Sequence, residues 1–214
     1  DESDDRVEKY NLSTPFDITS ASYDSFLSIG DTRPSDISFN ATGSVMFVTG
    51  WGNDRVYKFN LASPYTLTGA SSGGELRIGN GADISPASIF TPTGHTFSTD
   101  GTKLFIADRQ PAQIVEISLP APFDISDFNN ISVLDRLDVP GKSGNFSKGV
   151  WSVEFDPTGT VMYVAQPNLF TGNEPKDEMM LRYSLSTPWD LSSATFVEYV
   201  NLGNVSFLPL DIAF

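Results

Sequence analysis

Residues 155–165 read FDPTGTVMYVA, and the same pattern stands earlier as FNATGSVMFVT from Phe39 and FSTDGTKLFIA from Phe97. The leading phenylalanines, Phe39, Phe97 and Phe155, are evenly spaced, and Phe214 continues the series one position late. A second pattern alternates with the first: a leucine, then a proline and an aromatic close behind it. It reads LSTPFDIT from Leu12, LASPYTLT from Leu61, LPAPFDIS from Leu119 and LSTPWDLS from Leu185. Two patterns interleaved at one period describe a single supersecondary unit, repeated.

Each unit reads as four short strands. Ser35–Phe39 carries Ile37 and Phe39 at period two, the pattern of a half-buried strand. Asn40–Gly43 makes a tight turn whose glycine can take a positive φ. Ser44–Thr49 is nearly continuous in apolar residues, as a strand covered on both faces requires, and Leu104–Ala107 and Val161–Ala165 match it. Arg55–Asn60, Gln113–Ser118 and Leu181–Ser184 form the third strand. The leucine–proline–aromatic corner follows. Its proline sets φ and ends the pairing, and its aromatic fills the space between neighbouring units. A fourth, more polar strand, such as Ser22–Ile29 or Glu75–Ile78, suits the outer edge of a sheet.

A four-stranded antiparallel meander repeated at this length, with no helical periodicity, is the pattern of a β-propeller. The strings DGTKLFIA from Asp100 and YSLSTPWDLS from Tyr183 resemble a propeller repeat of marine bacterial surface proteins and of phage tail or fibre proteins. They are broadly similar to YVTN-type and lactonase-like propellers as well. The resemblance spans essentially the whole chain and implies the fold, but it brings no assigned chemistry.

The expected architecture is therefore an all-β propeller of four-stranded antiparallel blades, three whole and two partial. Residues 1–33 supply the outer half of a blade, since Val7–Leu12 aligns with the third strand. Whole blades occupy 34–92, 93–148 and 149–208, and 209–214 (PLDIAF) is the first strand of the next. Partial blades leave edges bare, so completion by the rest of a longer chain, or by another copy, is expected.

Composition limits the partners. With 13 Lys+Arg against 27 Asp+Glu, the net charge of −14 repels nucleic-acid phosphates and anionic lipid, which excludes wholesale binding to either. The absence of cysteine excludes disulfides and thiolate metal sites. No apolar run approaches the roughly 20 residues of a membrane helix.

Length variation falls on one face. The turns joining first to second and third to fourth strands are constant, and in a meander they share a face. From turn glycine to corner leucine, the stretches Gly43–Leu61 and Gly101–Leu119 are equal in length, whereas Gly159–Leu185 is longer. From corner leucine to the next phenylalanine, Leu61–Phe97 and Leu119–Phe155 are equal, and Leu12–Phe39 and Leu185–Phe214 are shorter. A rigid scaffold whose insertions gather on one face fits a recognition surface. Its loops are 50–54, 79–94, 108–110, 140–149 and 166–177, and they offer Trp51, Asn53, Arg109, Phe146, Lys148, Phe170, Asn173 and Lys176 as binding residues. Aromatic rings mixed with amides and a few cations suit a sugar ring or a protein surface.

Catalytic chemistry has few carriers. His95 is the one histidine, and it aligns with Ile37, Val153 and Ile212 on the innermost strand, which predicts a packing role. A lactonase-like propeller holds a divalent metal with groups converging on its channel. Here the channel strands supply Asp36, Glu154 and Asp211, but Asp36 aligns with Ser152 and no consistent ligand ring results. The turns STDG (98–101) and DPTG (156–159) look like pieces of calcium loops, yet local capping accounts for them. Capping likewise accounts for Asp17, Asp124 and Asp190 after the corner aromatics.

The sequence thus predicts a non-catalytic binding or structural module on a virion or cell surface. It would engage a glycan or protein partner through the loop face and need no cofactor. Two alternatives stand beside it: a lactonase-like hydrolase with channel-bound Ca²⁺, and a protein-interaction scaffold.

Overall fold

The computed structural model describes residues 5–79, 89, 91–139, 149–166 and 179–202. These residues form an all-β propeller array. Its first sheet is a two-stranded hairpin, β1 (Arg6–Leu12) and β2 (Ala21–Ser28). Three four-stranded antiparallel sheets follow. The first holds β3 (Pro34–Phe39), β4 (Val45–Gly50), β5 (Arg55–Asn60) and β6 (Ser71–Arg77). The second holds β7 (Pro92–Phe97), β8 (Lys103–Asp108), β9 (Gln113–Ser118) and β10 (Ser132–Asp138). The third holds β11 (Ser152–Phe155), β12 (Val161–Gln166), β13 (Met179–Leu185) and β14 (Ala194–Asn201). Strands pair in sequence order, and β7 packs against both β3 and β11, so the first strands stand side by side. The proposed first strand at 209–214 lies outside the described residues.

The continuous apolar run of each second strand is explained by cover on both faces. Phe47 and Phe105 are fully buried, each wedged against the following blade: Phe47 against Phe97 (4.5 Å between centroids), Phe105 against Phe155 (4.5 Å). Burying a side chain of this size stabilises by about 1.5–3 kcal/mol. The blades are also latched. Lys58 on β5 donates to the carbonyl of Phe123 in the next blade (2.8 Å). Lys103 on β8 reaches Trp189 O (2.6 Å) and the buried carboxylate of Glu116 (2.6 Å), whose other oxygen accepts from Leu191 N (2.8 Å). At the repeat position of Lys58 and Glu116, the third blade has Arg182, which pairs with Glu198 of its own sheet.

The two sequence motifs touch each other. In each whole blade the corner aromatic's N–H donates to the turn glycine's carbonyl: Tyr65 to Gly43 (2.8 Å), Phe123 to Gly101 (2.8 Å), Trp189 to Gly159 (3.0 Å). The ring then lies over that glycine, and a Cβ there would overlap it. Gly43, Gly101 and Gly159 also sit at φ of +67°, +71° and +71°, so both geometry and space demand glycine. The aromatic itself is left-handed, with φ of 57–62° at Phe16, Tyr65, Phe123 and Trp189. Proline at the preceding position sets up this turn, which the hydrogen bonds Asp17 N to Thr14 O and Asp124 N to Ala121 O close.

Three departures from the sequence reading have physical causes. The fourth strand of the first whole blade begins at Ser71 rather than Glu75, because the small residues 71–74 pair along β5 through a bulge at Lys58/Phe59. The fourth strand of the third blade is not polar: Phe196, Val197, Tyr199 and Val200 on β14 are all exposed. The corner aromatic fills an interblade space only where a preceding second strand presents a ring, as Phe47 does to Phe123 and Phe105 to Trp189. Tyr65 is 52% exposed and Phe16 fully so.

The polar turns are locally satisfied. Asp156 accepts from Thr160 N and Val161 N (both 2.8 Å), and Asp100 from Thr102 N (3.0 Å). Asp17, Asp124 and Asp190 each accept from the N–H and hydroxyl two residues on, and these bonds hold all three carboxyls below the usual range. Single 3₁₀ turns at Ile18–Ser20, Phe128–Asn130 and Leu191–Ser193 follow these corners.

Candidate functional site

The face opposite the constant turns is set by register. Pro34, Gly50, Arg55 and Arg77 end their strands together, as do Pro92, Asp108, Gln113 and Asp138. Trp51 and Arg109 follow β4 and β8 at the same position of the repeat. Each continues the ladder by one bond, Trp51 N to Arg33 O (3.1 Å) and Arg109 N to Thr91 O (2.9 Å). The period therefore brings a tryptophan and an arginine from different blades side by side.

Four side chains gather there. The Arg33 guanidinium lies 4.3 Å from the Trp51 ring centroid. That of Arg109 lies 6.0 Å from Trp51 and 5.2 Å from Trp151, which stands just before β11. Such stacks contribute about 0.5–1 kcal/mol each where exposed. Gly149 makes room: a Cβ there would run into the stem of Arg109. Trp151 extends the pairing of β11 with β12 by one bond, to Ala165 O (3.0 Å), beside Gln166 at the end of β12. The Trp151 Nε1 and both amide atoms of the fully buried Gln166 have no hydrogen-bond partner among the described residues.

Asp31 shapes the Trp51 loop. Buried, it accepts from Arg33 N (2.9 Å), Gly52 N (3.1 Å), Asn53 N (3.1 Å) and the Tyr57 hydroxyl (3.1 Å). A Cβ at Gly50 or Gly52 would overlap the Asp31 carboxylate or the Thr32 hydroxyl, so the loop closes only over glycine. Burial, with Asp31 alongside, pushes the Tyr57 phenol up to about 12. Asp54, behind the same loop, is raised to about 6 by burial and by the charges of Asp108 and Asp31. Its folded form holds a proton more tightly than the unfolded chain, so stability falls as pH rises from about 4 to 6. Asp54→Asn should therefore add about 1 kcal/mol at pH 7.5, discounted for solvent screening, and nothing at pH 4. Asparagine also tolerates the φ of 53° at this position. Paired urea titrations at the two pH values check this; an equal effect at both would count against it.

Of the expected binding residues, Trp51 and Arg109 meet in one patch. Asn53 does not join them, because its amide ties down its own loop through Gly30 O (3.1 Å) and the Tyr57 hydroxyl (3.3 Å). Phe146, Lys148, Phe170, Asn173 and Lys176 lie outside the described residues. Sequence reasoning missed Arg33 and Trp151, which stand just before β3 and β11 and outside the loops chosen as candidates. The period holds the signal, since Arg33, Thr91 and Gly149 share one repeat position beside that of Trp51 and Arg109.

The inner strands hold their polar groups between blades. His95 is buried, with Nε2 2.7 Å from the Ser38 hydroxyl and Nδ1 2.7 Å from that of Thr49. Asp36 accepts from His95 N (2.6 Å), and Glu154 from the Thr96 hydroxyl (3.2 Å). These two carboxylates thus bridge to the middle blade; Asp211 lies outside the described residues. Among the described residues no group of three or more acidic or histidine side chains could hold a metal ion.

No protein-family model and no curated protein matches the sequence. The fold is shared with solved structures at low identity. A protein from Lactobacillus plantarum matches with a TM-score of 0.61 and 12% identity, over 92% of this chain and 52% of its own. A putative 6-phosphogluconolactonase from Bacteroides fragilis gives 0.54 and 10%, over 92% and 49%. The periplasmic gluconolactonase of Pseudomonas aeruginosa gives 0.52 and 14%, over 92% and 53%. The chain spans about half the length of these structures, and what it shares with them is the fold.

Proposed function

We propose that this propeller is a non-catalytic binding module, displayed on a cell or virion surface, that recognises a glycan or protein through the face carrying Trp51 and Arg109. One observation carries the reading: side chains from three blades, Arg33, Trp51, Arg109 and Trp151, gather in one aromatic and cationic patch on the face where insertions collect. Rigid sheets hold the strand ends that present them, so little ordering entropy opposes binding. The surface location is supported by the resemblance of the repeat to those of surface and phage proteins.

The test is a glycan array and a panel of purified surface proteins, probed with wild type and with the Trp51→Ala/Trp151→Ala double variant. Partners should be held at least tenfold more weakly by the variant. A lactone-hydrolysis assay with added Ca²⁺ serves as the counter-test. Turnover abolished by Asp36→Asn, with no binding phenotype for the double variant, would favour the hydrolase reading instead.

A further inference from the structure

We infer that the ligand of this patch is an anionic saccharide, bearing a carboxylate or sulfate that the guanidinium of Arg109 receives beside that of Arg33. The inference deepens the reading of this face as the recognition surface and rests on it.

Charge is the first reason. A molecule of net charge −14 repels anions over most of its surface, so an anion would be captured only where cations are concentrated and held. Arg33 and Arg109 are both at this patch, both against tryptophan, and Arg109 forms no ion pair among the described residues. The Arg109 guanidinium lies near two tryptophan rings, and the planar fork of a guanidinium matches a carboxylate or sulfate through two parallel hydrogen bonds. Contact with the rings also restrains the long side chain beforehand, so less entropy is lost on binding.

The remaining groups select the rest of the ligand. Two indole rings offer apolar faces and edges of the size that sugar rings pack against. At the Trp151 side, the indole N–H and the Gln166 amide are buried without partners among the described residues. Unmet groups of this kind are costly to bury, and they call for a ligand with both donors and acceptors. Sugar hydroxyls supply both. An acidic peptide also carries donors and acceptors, on its backbone, but poly-glutamate has no ring to pack against the two indoles.

Isothermal titration of the whole chain with four probes tests the inference: oligogalacturonate (carboxylate), a sulfated dextran fragment, neutral maltohexaose and poly-glutamate. At least one anionic saccharide should bind tenfold or more tightly than maltohexaose and poly-glutamate. Arg109→Gln should weaken that binding at least tenfold. Arg109→Lys, which keeps the charge but loses the planar fork, should weaken it severalfold; it also guards against misfolding of the first variant. Comparison of the two anionic probes shows which acid group is preferred. Equal binding of the neutral sugar or of poly-glutamate, or full binding by Arg109→Gln, would overturn the inference, as would no binding of either anionic probe at millimolar concentration. If Trp51→Ala abolishes binding of a neutral glycan or a protein while the arginine variants stay silent, the anionic assignment falls and the recognition face stands. If no variant at this patch affects any partner, both fall.

Discussion

Trp189→Ala is expected to lower the unfolding free energy by about 3 kcal/mol and Tyr65→Ala by about 1 kcal/mol, while Phe16→Ala leaves it unchanged. The three residues occupy one motif position and share a left-handed φ. They differ in what surrounds the ring. Trp189 packs on Phe155 (4.8 Å) and Phe105 (6.1 Å) and covers Gly159. Tyr65 covers Gly43 and meets Phe39 at 5.1 Å, but among the described residues no ring from a preceding second strand reaches it, and it stays half exposed. Phe16 is fully exposed, because among the described residues its sheet has no turn glycine for the ring to cover. Alanine keeps the φ penalty in all three, so the series isolates burial. Urea unfolding followed by far-UV circular dichroism measures it without relying on the deleted tryptophan. A flat series would mean that the corner acts through its backbone turn alone. Gly159→Ala approaches the same contact from the other side, and its Cβ must displace the ring.

His95→Ala is expected to cost about 2–4 kcal/mol, through a cavity and through the Ser38 and Thr49 hydroxyls that lose their partner. A neutral ring serves both hydroxyls, donating from one nitrogen and accepting at the other. Burial pushes the imidazole down to about 3, and the Asp36 carboxylate 3.4 Å from Nδ1 works against that shift. With a folded value below the unfolded one, the native state binds fewer protons between about pH 3 and 6.5. Stability is therefore complete above about pH 6.5 and declines as pH falls. His95→Gln keeps a donor and an acceptor but removes the titration. Relative to wild type it should gain up to about 2 kcal/mol on going from pH 7 to pH 5. Denaturant titrations across that range decide the matter. Parallel pH profiles for the two proteins would show that Asp36 compensates the buried ring in full.

Much of the fold was legible because it is written as local rules applied repeatedly. The even spacing of Phe39, Phe97 and Phe155, the apolar second strands and the proline–aromatic corners depend on residues close in sequence, and they predicted sheets that the structure contains. The glycine turns were legible for half of their reason. Positive φ is a local demand, whereas the ring over Gly159 belongs to Trp189, beyond the whole third strand. Among the residues expected to bind, Trp51 and Arg109 could be nominated because they lie in loops on the variable face. Their meeting could not, since it depends on the angle between blades. Arg33 and Trp151 escaped notice for two reasons: Arg33 meets Trp51 through the pairing of β3 with β4, a register that loop position does not reveal, and Trp151 meets Arg109 only through blade packing.

The repeat, the strand order within each blade and the face on which variation gathers follow from local residue patterns, because hydrophobic period and turn chemistry act over short stretches of chain. Tertiary structure alone decided which copies of one motif are buried and which exposed, where His95 finds its partners, and which loop residues share a patch. Those depend on the neighbour a side chain meets across a blade boundary, and that neighbour lies about one repeat away along the chain.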